Sequence, residues 1–465
     1  MENVSKVSSK TKYSIIGTAG LAFCGVLVET SMNVTFPTLM TQFHESLNNV
    51  QWVTTIYLLV VAITMTTTAF AQRRFSLRSL LTLAGFLFVL GILTSGLARS
   101  LPILLVGRVI QGVSTGLTMP LMFAIIMQQV PLQFQGQYIG LAGMVIAFAP
   151  SLGPTYGGFI TQTATWPLIF WITLPIGLVS CLLALSTVQQ SAAISKHHFP
   201  LLEFLLITVA LTTITIGINS AGNHHGIVAV VIPLCIGVIS FTGFVIHASR
   251  DVHPLINVQI FRNSLFSRAL LIYFLVQFIQ IGLTFLLPTL AQLALHQGTM
   301  LAGMMLLTGS LLSAITAPFT GHLLDTYGAK RILSIGSGFL LLGSCLLFSF
   351  SRSLTTATIV VFYAIYMLGF SFTFNNALTF GLQQLTPPQI ADGNAAFNTL
   401  QQYSGSLGTA VAAAILALSA HNTQLTTAQQ TLAGSHNVLL FFVGLCLLAT
   451  LLIFSLPKTH QPLTK

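Results

Sequence analysis

The amino-acid sequence predicts an all-α integral membrane protein of fourteen transmembrane helices: two six-helix halves with a two-helix hairpin inserted between them. Three observations carry this expectation. First, 54% of the 465 residues are hydrophobic and only 5% are charged, whereas a soluble domain carries about 25% charged residues. Second, about fourteen apolar runs are long enough to cross roughly 30 Å of hydrocarbon at about 1.5 Å per helical residue. Third, the chain nearly repeats itself at an offset of about 251–257 residues, and such repeats mark a duplicated architecture.

The first-half runs lie near 13–38, 51–71, 79–98, 102–127, 137–161 and 166–187. The hairpin runs lie near 200–219 and 226–247. The second-half runs lie near 266–288, 300–322, 332–350, 355–381, 393–419 and 436–456. Each is expected to be helical, because an open strand leaves backbone groups unpaired in lipid. The repeat aligns Pro37-Thr38-Leu39 with Pro288-Thr289-Leu290, Gly112 with Gly369, and Ser151-Leu152-Gly153 with Ser406-Leu407-Gly408. The expected units are residues 1–190, 191–250 and 251–465.

The formal net charge is +10, yet its distribution excludes a nucleic-acid patch, which would cluster on a soluble face. With the N-terminus in the cytoplasm, Lys6, Lys10, Lys12, Arg73, Arg74, Arg78, Lys196, Arg250, Arg262, Arg268, Lys330, Arg331, Lys458 and Lys465 fall inside. Only Arg99 and Arg352 fall outside, and Arg108 lies within a span. This asymmetry predicts a cytoplasmic membrane protein with both termini inside. The first span follows three lysines but is too long for a signal peptide and lacks a cleavage site, so it reads as an uncleaved anchor. The five cysteines are scattered singly, which argues against a disulfide framework or a zinc site. The pairs His197–His198 and His224–His225 read as solvated loop residues, and no metal or cofactor is expected.

Several motifs carry more information. APSLGPTYGG (149–158) places Pro150 and Pro154 where they kink a helix, and Gly153, Gly157 and Gly158 where backbones approach closely. GRVIQG (107–112) buries an arginine. GHLLDTYGAKR (321–331) offers Gly321, Asp325, Gly328, Lys330 and Arg331 in a loop, where Asp325 is expected to cap the next helix or to pair with Arg331. Together these resemble the major facilitator superfamily, specifically its fourteen-span drug:proton antiporters. APSLGPTYGG is similar to that family's antiporter motif, GRVIQG to its span-4 motif and GHLLDTYGAKR to its loop motif. The resemblance implies the major facilitator fold and alternating access between two six-helix bundles. The first-half loop copy departs from the pattern: Arg73 stands where the acid belongs, and Ala69 and Ser76 replace glycines.

Glu29 is the one acid deep in the first half. A charge at the bilayer centre costs at least about 2.5–3.5 kcal/mol, so intramembrane acids are functional by default. Glu29 lies about 12 Å from the outer end of span 1, and Arg108 about 10 Å from the outer end of span 4, at about 1.5 Å per residue. The repeat aligns them with Gln280 and Ile365, so the ionisable chemistry is confined to one half. The family's aspartate aligns with Val28, one residue away. Glu29 and Arg108 are therefore expected to couple protons. Glu29, Asn33, Tyr57, Gln111, Gln280, Asn375 and Asn376 are expected to meet cargo, with Gln277 and Gln401 also facing the cavity. Glu203, near the start of span 7, is expected to snorkel to the interface.

The reading is a proton-coupled exporter of bulky amphipathic, often cationic, drugs, embedded in lipid and working as a monomer. An exporter of one metabolite, peptide or siderophore stays open as the alternative. A membrane enzyme would need clustered acids or a metal site, and the seven acids are dispersed. The topology has a direct check. A single cysteine at Ser264 should react with an impermeant reagent only from inside, and one at Asn223 only from outside; the reverse pattern would exclude the fourteen-span arrangement.

Overall fold

A computed structural model describes residues 7–189, 198–222, 226–251, 254–419 and 425–457. Lys6, Lys196, His197, Asn223, His224, His225, Lys458 and Lys465 lie outside these residues. The described residues are helical throughout, with no strand among them. In the first part of the chain they form α1 (Ser9–Met32), α2 (Phe36–Phe43), α3 (Leu47–Val50), α4 (Trp52–Arg74), α5 (Leu77–Gly96), α6 (Leu101–Gln129), α7 (Leu132–Thr163) and α8 (Leu168–Thr187). A hairpin follows, α9 (Leu201–Ala221) and α10 (Gly226–Ala248). The rest are α11 (Ser264–Leu293), α12 (Thr299–Tyr327), α13 (Ala329–Ser349), α14 (Thr356–Leu382), α15 (Ile390–Ser419) and α16 (Thr427–Phe454).

Thirteen helices among the described residues are long and apolar enough to cross a membrane. The exception among the long helices is α15, which has 30 residues but carries Asp392, Asn394, Asn398, Gln401 and Gln402. Local sequence sets the ends. Ser76 caps α5 by accepting from Ser79 N (3.0 Å), and Asn263 caps α11 by accepting from Leu265 N (3.0 Å).

The first run is not one helix. α1 stops at Met32, Asn33–Thr35 form a turn, and α2 restarts at Phe36 with Pro37 in its first turn. Pro37 has no N–H to bond the Asn33 carbonyl four residues back, and its ring crowds that carbonyl, which breaks the helical ladder there. Asn33 Oδ1 also accepts from Thr54 Oγ1 (2.8 Å), which holds the turn against α4. The matching Pro288 lies inside an unbroken α11, so the two halves differ at this point.

Helix pairings recur in two groups. α1 packs on α6, α7 and α8, α4 on α6, and α5 on α6 and α8. The same pattern joins α11 to α14, α15 and α16, α12 to α14, and α13 to α14 and α16. α4 and α15 form one seam between the groups, and α7 and α12 form the other. Following the chain, Arg74, Arg78, Arg250, Arg262, Lys330 and Arg331 share the end where α1 begins and α16 finishes, the termini end. Arg99 and Arg352 lie at the far end.

The far end is tightly closed. Thr299 Oγ1 donates to Gly158 O (3.0 Å), Met300 N to Gln162 Oε1 (2.9 Å), and Gln292 Nε2 to Val34 O (2.9 Å). Phe36 and Phe285 meet across the groups at 5.7 Å. A Cβ on Gly158 would strike the Thr299 carbonyl, and one on Gly303 the Pro154 carbonyl. Gly158→Leu is therefore expected to push α7 and α12 apart, at an overpacking cost of about 1–3 kcal/mol. Melting of the purified variant should fall, and a cysteine at Met300 should gain reactivity. Unchanged values for both would show that this contact is loose.

Candidate functional site

Three helices of the first group bring Arg108, Tyr57 and Glu29 together. Arg108, in α6, is fully buried. Its Nε donates to Val53 O (3.0 Å) and its Nη1 to Gln111 Oε1 (2.6 Å). Its guanidinium carbon lies 4.2 Å from the centre of the Tyr57 ring. A guanidinium suits this role because its planar, weakly hydrated cation stacks on aromatic faces. Tyr57 OH in turn donates to Thr115 Oγ1 (2.8 Å), tying α4 to α6. Arg108 Nη2 and Gln111 Nε2 are buried with no protein partner.

Glu29 lies in the last turn of α1 and is 5% exposed. Among the described residues no hydrogen bond and no ion pair within 4.0 Å reaches its carboxylate. Arg108 acts on it electrostatically without bonding it. The acid and the base are therefore near one another but separate, and only the base is fixed. The turn after Met32 also changes the depth argument: Glu29 sits three residues from the end of its own helix.

The remaining predicted contacts divide. Asn33 is committed to Thr54. Gln280 is buried in α11 at 6% exposure, and Gln277 has a buried, unpartnered Oε1. Gln401 accepts from Tyr273 OH (2.9 Å). Asn375 is exposed. Asn376 is not: its Nδ2 donates to Phe372 O (2.9 Å) and Thr320 O (3.4 Å), stitching α14 to α12.

The proline–glycine motif in α7 faces two ways. A Cβ on Gly153 would meet Thr30, and one on Gly157 would meet the Ser31 backbone, so both are pressed on α1 beside Glu29. Gly158 faces α12 instead. Pro150 and Pro154 stand inside the same helix.

The 321–331 loop departs from expectation. Asp325 and Arg331 are exposed and form no ion pair, and α13 has no side-chain cap. Gly328 adopts φ +80°, a conformation that glycine alone takes easily. Lys330 reaches across to α16, donating to Phe454 O (2.8 Å) and Leu456 O (2.6 Å). Terminal helix carbonyls lack intrahelical donors, and a lysine satisfies them. Gly321 has no close neighbour.

Glu203 does not snorkel. It is fully buried, and its two oxygens bond His247 Nδ1 (3.0 Å) and Leu255 N (2.6 Å). Asp251 lies beside them, with the three ligand-type atoms within 4.8 Å of one another. A cavity of about 520 Å³ adjoins the group. The signal was present in the hairpin itself, which returns the end of α10 to the start of α9.

Residues 18–409 match the family model described as Major Facilitator Superfamily. Lincomycin resistance protein LmrB of Listeria innocua is 32% identical over 395 residues, covering 85% of this chain and 84% of that protein. A multidrug resistance protein B homolog of Mycobacterium tuberculosis is 27% identical, covering 87% and 76%. In fold, the chain is similar to the xylose transporter XylE from E. coli, solved in a partially occluded inward open conformation, with a TM-score of 0.66 at 15% identity over 98% and 99% of the two chains. The repeated helix pairings, the buried arginine and these matches agree: the chain is a multi-span membrane transporter that belongs to the Major Facilitator Superfamily.

Proposed function

We propose that this chain is a fourteen-span, proton-coupled exporter of amphipathic drugs, set in the cytoplasmic membrane with both termini inside and acting as a monomer. The units are the first six-helix half (1–190), the hairpin (191–250) and the second half (251–465). The observation that carries the reading is Glu29, a nearly buried carboxylate with no bonding partner among the described residues, beside a cation bonded through its Nε and Nη1. The resistance names of its relatives support drugs as cargo.

The division of labour follows from the contacts. Arg108 is anchored to Val53, Gln111 and Tyr57, so its charge stays put within the first half. Glu29 is anchored by nothing, so small movements of the end of α1 change its distance to that charge. Nearby charge and solvation are the terms that set a carboxylate's proton affinity. In one conformation Glu29 takes a proton, and in the other it gives the proton up and meets cargo. Gly153 and Gly157 hold α7 against α1 at this level and transmit motion of α7 to the acid.

Two experiments test this. Glu29→Gln keeps size and hydrogen bonding but cannot release a proton. In liposomes it should lose uphill export of cationic dyes on an imposed pH gradient, while Glu29→Asp keeps part of it. Uphill export with normal proton flux in Glu29→Gln would remove the glutamate from coupling. Separately, Tyr57→Leu should cost about 0.5–2 kcal/mol more stability than Tyr57→Phe, because only the ring supports the guanidinium. Equal melting of the two variants would show that the stacking contributes nothing.

A further inference from the structure

The hairpin lies across both halves, and its base holds a cluster of side chains that transport does not use. Tyr403 OH of α15 donates to Leu211 O of α9 (3.2 Å), and Phe199, just before α9, packs on Phe70 of α4 at 5.0 Å. Glu203 stands in the first turn of α9 and His247 in the last turn of α10. Asp251 N donates to His247 O (3.1 Å), so the helical turn continues and these two residues, four apart, share one face. Among the described residues no other three His, Cys, Asp or Glu side chains bring their ligand atoms within 4.8 Å of one another.

Glu203 poses a charge problem. It is fully buried, and among the described residues no Lys or Arg nitrogen lies within 4.0 Å of its carboxylate. A buried charge is costly unless it is paired or coordinates a metal. Leu255 N bonds Oε2 (2.6 Å), while Oε1 faces His247 Nδ1 (3.0 Å). The backbone bond orients the carboxylate as an outer partner orients a metal ligand, and it leaves Oε1 to coordinate. Two metal–ligand bonds of about 2.0–2.2 Å, opened to the tetrahedral angle, hold their ligand atoms roughly 3.3–3.6 Å apart. Glu203 and His247 need to part by only a few tenths of an ångström, and Asp251, exposed just past α10, completes the set by a side-chain rotation. The cavity beside His247 and Asp251 supplies water for a fourth position.

We propose that Glu203, His247 and Asp251 form a binding site for a divalent cation of the zinc class, which clamps the base of the hairpin to the segment leading into α11. An imidazole nitrogen with two carboxylate oxygens suits zinc and its transition-metal neighbours better than calcium or magnesium, which take oxygen ligands. His247 coordinates through Nδ1 with its proton on Nε2, and the two carboxylates neutralise the ion's charge. Leu255 and Ile256 are buried just beyond, so the clamp fastens the chain where it leaves the hairpin. Sequence spacing conceals the site, because Glu203 and His247 are 44 residues apart. The site shares no residue with Glu29 and Arg108 and stands independently of proton-coupled export.

The probe is Zn2+ itself, added to the untagged, metal-stripped full chain in detergent micelles. His197, His198, His224 and His225 are first replaced by Gln, because paired histidines bind zinc on their own. In this background one zinc per chain should bind, measured by competition with a chromophoric chelator, and should raise the melting temperature. His247→Gln keeps a donor for Glu203, and Asp251→Asn alters an exposed side chain, so without zinc both should melt as the background does. Each should bind zinc at least about tenfold more weakly, since the loss of even an outer partner costs that much. Each should also lose the zinc-dependent rise in melting, and an excess of Mg2+ should not displace zinc from the background chain. No zinc bound in the background, or zinc bound equally by both variants, would overturn the site. Displacement by Mg2+ would overturn its assignment to a transition metal.

Discussion

A cation inside hydrocarbon needs partners close at hand, and Arg108 organises the first half around that demand. It takes the Val53 carbonyl from α4, the Gln111 amide from its own helix and the Tyr57 ring from above. The contacts to Val53 and Tyr57 fix α4 relative to α6. Tyr57 extends the fixation to Thr115. A charge so held supplies a constant field at the nearby Glu29. The second half has no such cation at the matching place, Ile365. Its core is instead closed by rings, as where Tyr273 stacks on Phe374 at 4.1 Å.

The seams show how one sequence assigns different tasks to related helices. On α7 a single face carries Gly158, packed to contact, and Gly140, free of contact. Smallness serves two purposes along that face: backbone approach at one end and open space at the other. The hairpin breaks the symmetry that duplication alone would give. It meets both halves on one side, and its base is held by the buried Glu203 and its two partners.

Much of this was legible in the sequence. Long apolar runs fix helix type, because lipid permits little else. The burial of Arg108 and the close approach of Gly157 and Gly158 follow from residue type and position alone. Other features depend on partners distant in sequence. Asn376 looks like a cargo amide until Thr320 is placed beside it. Asp325 looks like a lock, yet the tether is Lys330, bonded to helix-end carbonyls more than a hundred residues away. Glu203 looks like an interfacial acid until the chain folds His247 and Leu255 over it. Charge patterns identify which groups need partners, but packing chooses the partners.

The turn at Asn33–Thr35 gives the duplicated fold one interrupted helix and one unbroken one. Helix α11 runs through Pro288 as a continuous rod of 30 residues, whereas α1 and α2 are two rods with a joint between them. The acid sits just inboard of that turn, Gln292 holds the turn itself at Val34 O, and Phe285 meets Phe36 just beyond it. The matched proline thus leaves one half with an interrupted helix and the other with a continuous one, and the interruption begins four residues after Glu29.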